Sequence, residues 1–231
     1  MVDHDQKIWH SHWFYLFHSL LLLLILFPYL DPEYSTKYPW AILMVNSVVI
    51  LTIIYTVSPN IRGFLFGMMV GSPAIISFWF LDSYYAYHTV LFSTGLLYIY
   101  AICMTIKFLI RSNEFNLNQL FAATSTYILM GLTWTVMFQV IELVNPGSFY
   151  TSDEQNINNI LSWSDFIYYS FTTLTTLGYG DITPVNSVAR SLSILEAITG
   201  VIFIPVIISG IVSILITKTL NKRIQQAKRS N

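Results

Sequence analysis

Apolar residues in this chain come in long runs broken by short polar gaps. Neither the alternation of a half-buried strand nor the striping of a surface helix dominates. Six runs approach or exceed the length of about 20 residues that crosses a bilayer: 13–30, 40–58, 63–81, 87–110, 117–144 and 187–217. Helix stops punctuate them: Pro28 closes the first and Pro59 follows the second. Gly71-Ser72-Pro73 interrupts the third and predicts a kink there. A seventh run, 163–175, is too short to span. Its length predicts a re-entrant helix that stops inside protein, because lipid cannot satisfy its terminal backbone groups. Ser162 or Ser164 is placed to cap its start, with Asp165 stabilising the N-terminus.

Composition agrees with a chain built for lipid. Charged residues make up 10% of it, against about 25% in soluble domains. The pattern predicts an all-α integral membrane protein with six transmembrane helices and one re-entrant helix. The first run could pass for a secretion signal, but Asp3 and Asp5 sit beside Lys7 and no small-x-small cleavage site comes after it. It is expected to be a retained span. Of the 11 Lys and Arg residues, Lys37 and Arg190 alone fall on the outer side if the N-terminus is inside. That bias predicts both termini in the cytoplasm. No Asn-x-Ser/Thr acceptor and no nucleotide-binding glycine loop appear, and no nucleic-acid partner is expected. The absence of acceptors leans toward a prokaryotic cell membrane. The lone Cys103 permits no intrachain disulfide and is expected to be a small core residue.

Between the re-entrant helix and the last run lies Thr175-Thr176-Leu177-Gly178-Tyr179-Gly180-Asp181. Its two glycines permit torsions that other residues resist, and such torsions turn successive carbonyl oxygens to one side. Four copies around an axis would stack these oxygens into rings able to replace the water around a potassium ion. The segment resembles the selectivity filter of the tetrameric potassium channels. The chain holds it once, so a four-fold ring takes four chains, a homotetramer around one pore. The resemblance implies that Thr176, Leu177, Gly178 and Tyr179 line K+ sites with their carbonyls, with Gly180 completing the filter and the Thr176 hydroxyl adding the innermost ring. It implies that Tyr179 points away from the pore, braced by Tyr168 and Tyr169, that Thr175 supports the filter from below, and that Asp181 sits at the outer mouth. Leu177 stands where valine is commoner in the family. Thr172 stands where some members carry a glutamate, so a glutamate link from there to Asp181 is absent.

The last run extends the resemblance. Gly200 lies where the family's inner helix carries a hinge glycine, although close helix packing accounts for a glycine equally well. Pro205 and Gly210 offer further bending points. Val201, Ile204, Ile208 and Val212 share one helical face, which by resemblance lines the cavity below the filter. A ring of Ile208 or Val212 would gate by dewetting; lipid contact is the plain alternative. Glu196 is ionisable inside a span and costly in lipid. It is expected either to bond behind the filter, to Thr172 or Thr173, or to lie hydrated near the outer interface.

The resemblance is specific over 117–217 and only topological before it. It divides the chain in two: a four-helix membrane domain, 1–114, and a two-helix pore domain with a short basic tail, 115–231. The fourth run has no Arg or Lys before Lys107, so the charges on which voltage acts are missing and little intrinsic voltage dependence is expected. Those four helices are a degenerate sensor-like bundle or a different domain. His4, His10, His12 and His18 suit a proton sensor, a metal site or ordinary interfacial residues. The polar stretch 145–162 reads as an outer loop. The tail after Thr217 is too short for a ligand-binding domain, and its basic residues suit anionic membrane lipids, with positive-inside bias the simpler account. The expectation is a potassium-selective pore passing K+ passively, and no enzyme. A nonselective cation channel of the same architecture and a non-conducting membrane scaffold or receptor subunit are the alternatives.

Overall fold

A computed structural model describes residues 12–30, 39–58, 60–80, 84–111, 117–151 and 161–230. Among them the chain forms helices α1 (His12–Leu30), α2 (Pro39–Val57), α3 (Ile61–Phe80), α4 (Tyr84–Arg111) and α5 (Leu117–Val144). Next in order come strand β1 (Phe149–Thr151), helix α6 (Trp163–Leu174), strand β2 (Ile182–Pro184) and helix α7 (Ser187–Ser230). Each expected span coincides with a helix. Among the described residues, four helices carry an apolar stretch long enough to cross a membrane: His12–Tyr29, Tyr87–Arg111, Leu117–Val144 and Ser187–Gly210. The apolar stretches of α2 and α3 are shorter, Met44–Val57 and Ile61–Ser77.

Helical spacing builds the core. Leu16, Leu20 and Leu23 make one face of α1; Ile50, Ile53, Ile54 and Val57 make one face of α2. Both faces are fully buried, together with Leu97 of α4 and Leu129 of α5, as the 3.6-residue period requires. The opposite faces are apolar too. Leu22 and Ile25 on α1, and Val48, Leu51 and Tyr55 on α2, are exposed. A soluble protein rarely shows so much contiguous apolar surface; lipid covers it without cost. Helix α1 packs on α2 and α5, α4 packs on α3 and α5, and α6 lies between α5 and α7. At Gly71 a Cβ would stand 2.9 Å from Ile54 Cδ1, so this glycine serves the close approach of α2 and α3. Cys103 is exposed on α4; burial was the wrong expectation, because an apolar run has no polar side to mark its outside.

Helix α1 ends at Leu30 as expected, carrying Pro28 in its last turn, and α3 continues past Gly71-Ser72-Pro73; helices in lipid tolerate proline where leaving the helix would strand more backbone groups. One boundary differs from the expectations. Helix α7 is 44 residues long, about 66 Å, and continues past 217 to Ser230. The fold is also not purely α. Strands β1 and β2 pair antiparallel, Phe149 opposite Pro184 and Thr151 opposite Ile182.

Glu142 near the end of α5 shapes the loop leading to β1. Its carboxylate accepts from the Gly147 amide at 2.7 Å and the Phe149 amide at 3.2 Å, where Gly147 takes φ +83°. Asn186 closes the other side. Its side chain caps α7 by accepting from the Ala189 amide at 2.7 Å and donates to Ser148 Oγ at 2.5 Å. Hydrogen bonds to charged groups contribute about 1.5–3 kcal/mol each, less where water reaches them. Glu142→Ala is therefore expected to destabilise the chain by about 1–2 kcal/mol, read as a lower thermal midpoint; an unchanged midpoint would show that the turn holds itself.

Candidate functional site

The site begins with a cap. Ser162 opens α6, its Oγ accepting from the Asp165 amide while Asp165 Oδ2 accepts from the Ser162 amide at 2.8 Å. This reciprocal box satisfies two otherwise orphaned groups and selects Ser162 over Ser164 as the cap. Helix α6 is 12 residues long and ends at Leu174, with Thr175 as its C-cap. Thr175 Oγ1 turns back to donate to Phe171 O at 2.7 Å, within the last turn of α6.

Past the C-cap, the path of the chain is governed by where its backbone amides go. Thr176 N donates to Thr173 O at 2.9 Å. Leu177 N and Gly178 N both donate to Thr172 O, at 2.8 and 3.1 Å. Three successive amides thus point back at the end of α6. Thr176, Gly178 and Gly180 have φ of 60°, 52° and 81°, while Leu177 and Tyr179 between them do not take positive φ. Left-handed torsions thus recur at every second residue of 176–180. Glycine takes such torsions freely; at Thr176 they cost roughly 1–2 kcal/mol, a strain held by the amide bonds to α6. Residues 175–180 are all exposed in the single chain, Leu177 at 56% and Tyr179 at 69%. The C-terminal end of α6, where its dipole is negative, abuts this segment.

The supports divide. The Tyr168 ring stacks on Tyr179, planes 3° apart and centroids 6.4 Å apart, and its hydroxyl donates to Asp181 Oδ2 at 2.5 Å. Asp181 Oδ1 accepts from the Ile182 amide at 3.0 Å, so the carboxylate joins α6 to the start of β2. The link that Thr172 cannot make comes from Tyr168 instead; Thr172 Oγ1 donates within α6 to Tyr169 O. Tyr169, expected to brace Tyr179, turns the other way. It packs edge-on to Phe138 and Phe149, and its hydroxyl meets Ser193 Oγ of α7 at 2.6 Å.

Behind the segment, α6 is wedged between two glycines. A Cβ at Gly131 of α5 would stand 2.6 Å from the Phe171 ring, and one at Gly200 of α7 would stand 2.0 Å from Leu174 O. Of the two accounts open for Gly200, close packing is the one the geometry displays. Glu196, four residues earlier, is fully buried. Its Oε1 lies 2.6 Å from Ser170 Oγ, so its partner on α6 is Ser170, where Thr172 or Thr173 was expected. Beyond Gly200, Phe203 still stacks on Tyr127 of α5, but most of the α7 face turns outward. Val201, Ile204, Pro205, Ile208 and Val212 are exposed, and nothing lies within 4 Å of a Cβ built at Gly210.

The N-terminal histidines do not converge on a site among the described residues. His12 stacks edge-on to Tyr55, and His18 packs on Phe14 with Nδ1 2.8 Å from Phe14 O. His4 and His10 lie outside the described residues. No group of three or more His, Cys, Asp or Glu gathers among the described residues.

A protein-family profile described as "Ion channel" matches residues 138–217, from the last turns of α5 through β1, α6, the 175–181 segment and β2 into α7. Protein LctB of Geobacillus stearothermophilus is 30% identical over 99 residues, 42% of this chain and 73% of LctB. The chain belongs to the ion channel family. Two pore potassium channel c of Oryza sativa subsp. japonica is 33% identical to this chain over 113 residues, 46% of the chain and 22% of the rice protein. Two-pore potassium channel 3 of Arabidopsis thaliana is 34% identical over 77 residues, 33% of the chain and 18% of the plant protein. The chain thus spans less than a quarter of the length of these plant relatives. No solved structure matches it. Family membership fits a pore protein and not an enzyme, and the profile covers about a third of the chain, the part that holds the segment, leaving α1–α4 and most of α5 outside.

Proposed function

We propose that this chain is one subunit of a potassium-selective channel, four copies around a single pore, through which K+ passes passively. The observation that carries the reading is the backbone of 176–180: positive φ at alternate residues, with the amides of 176–178 bonded back to α6. Amides bonded back to α6 leave the Thr176 and Leu177 carbonyls facing away from it; in this reading those of Gly178 and Tyr179 continue the row, where rings of oxygen replace an ion's hydration shell. Exposure of Leu177 and Tyr179 in one chain suits burial by neighbouring subunits. The relatives named potassium channels support K+ as the permeant ion.

In this reading residues 1–114 form a membrane domain without sensor charges and 115–231 form the pore. The protein sits in a cell membrane with both termini cytoplasmic and lipid around α1–α4. Helix α4 reaches Lys107 and Arg111 only at its last turns, so the pore has little voltage dependence of its own. Asp181 and Tyr168 hold the outer mouth, and Ile208 or Val212 closes the inner one.

The deciding experiment is the reversal potential of purified protein in a planar bilayer, potassium on one side and sodium on the other. The expected reversal lies far from zero on the side set by potassium. Reversal near zero with open currents means a nonselective cation pore. In a silent bilayer Ile208→Asp is measured next: a wetted gate opens a true pore, whereas continued silence means a non-conducting scaffold.

A further inference from the structure

Ser170 on α6 poses a counting problem. Its Oγ lies 2.7 Å from Gly131 O of α5 and 2.6 Å from Glu196 Oε1 of α7. A hydroxyl has one hydrogen to give and two lone pairs to receive. The Gly131 carbonyl can only accept. If Glu196 were a carboxylate it too could only accept, and one of the two short oxygen pairs would be left without a hydrogen. Both are satisfied together only when Glu196 supplies a proton of its own.

The rest of the pocket agrees. Glu196 Oε2 is buried with no hydrogen-bond partner. An unpartnered carbonyl oxygen of a neutral acid costs far less than an unpartnered carboxylate oxygen. Burial is complete within one chain, so no neighbouring subunit supplies the missing partner. The titratable groups turned toward Glu196 are Tyr127 from α5 and Tyr169 from α6; neither is a cation. Their hydroxyls are engaged elsewhere, Tyr127 donating to Leu174 O at 3.4 Å and Tyr169 meeting Ser193 at 2.6 Å.

We infer that Glu196 is a neutral carboxylic acid that donates its proton to Ser170, which donates in turn to Gly131, making a relay across α7, α6 and α5. Glu196 is a positioning residue. The relay fixes the rotation of α6, and α6 carries the amide-bonded segment at its end, so the proton on Glu196 holds that segment in place whichever ion the pore passes. Ionising Glu196 would leave two acceptors competing for one hydrogen and would loosen α6 from one of its walls.

The test reads the proton directly and does not depend on conduction. Infrared spectra of the purified full chain are recorded at neutral pH in water and deuterium oxide. A protonated-carboxyl stretch is expected in the wild type and is expected to vanish in Glu196→Gln, whose amide keeps an N–H donor for Ser170. Absence of the band from the wild type, or its persistence in the variant, overturns the inference. Ser170→Ala serves if the first variant fails to assemble: the band should shift as the acid loses its acceptor, and an unshifted band refutes the relay. Linkage supplies a second readout. The folded chain holds a proton that an unfolded glutamate, with a pKa of about 4.3, releases at neutral pH. The folded state therefore binds more protons, and stability falls as pH rises. The wild type should lose thermal stability on alkalinisation with a component that Glu196→Gln lacks; identical pH slopes in the two proteins would contradict the inference.

Discussion

Replacing Gly200 with alanine is expected to cut ion flux severely and reduce assembly, although the same change stabilises most helices. Gly to Ala in a helix interior ordinarily gains about 0.5–1 kcal/mol. Here the new methyl carbon would stand 2.0 Å from the Leu174 carbonyl oxygen and 2.9 Å from its carbon. Both are backbone atoms, so no rotamer change relieves the clash. Either α7 or the end of α6 must move by roughly 1 Å or more, and overpacking of this kind costs about 1–3 kcal/mol or more. Leu174 is the last residue of α6, two positions before the strained Thr176, so displacement passes straight into the candidate filter. Flux in proteoliposomes is expected to fall at least about tenfold, the equivalent of 1.4 kcal/mol, alongside a lower melting temperature. Gly210→Ala is the contrast. No atom lies within 4 Å of its Cβ in the chain, and the helix gain should appear as unchanged or higher stability. If Gly200→Ala conducts normally while Gly210→Ala is dead, the bending point rather than the packing contact governs the pore.

Tyr168→Phe is the second large effect. It keeps the ring stacked on Tyr179 and deletes only the hydroxyl that donates to Asp181. A hydrogen bond to a carboxylate contributes about 1.5–3 kcal/mol, and this one ties the outer end of the segment to α6. The variant should fold and assemble normally but lose sustained selective current, as the outer carbonyls drift from alignment. Asp181→Asn should weaken the same bond. The double variant should be no worse than the more severe single, because both remove one interaction. Additive losses in selectivity, measured as reversal potentials, would show that Tyr168 and Asp181 act separately.

Much of this fold is legible because lipid makes sequence simple. A run of about 20 apolar residues has few structural options in a bilayer, and the helices fall where the runs do. The re-entrant helix is legible by its shortness and by Ser162 before Asp165. The rest hides for specific reasons. Three-residue strands carry no periodicity, so the pairing of 149–151 with 182–184 is invisible. Tyr168 and Tyr169 are neighbours on a helix and point about 100° apart; which of them meets Tyr179 depends on the rotation of α6, a tertiary property. The same rotation brings Ser170 rather than Thr172 or Thr173 to Glu196. The apolar residues of α7 stop well before the helix does, because a helix and a membrane span need not end together. In a chain whose outer surface is also apolar, hydrophobicity does not say which face is inside, and Cys103 is the instance.

The strand pair has a geometric consequence. Phe149 and Pro184 lie opposite each other, so the chain closes into a ring that contains α6 and the segment after it. The ring is pinned at one end by the strands and at the other by the contact of Gly200 with Leu174. A ring pinned at both ends cannot slide like a piston along the pore axis. The motion left to it is lateral: in the proposed channel it would widen or pinch, changing the size of ion admitted while leaving the height of each ion site where it was.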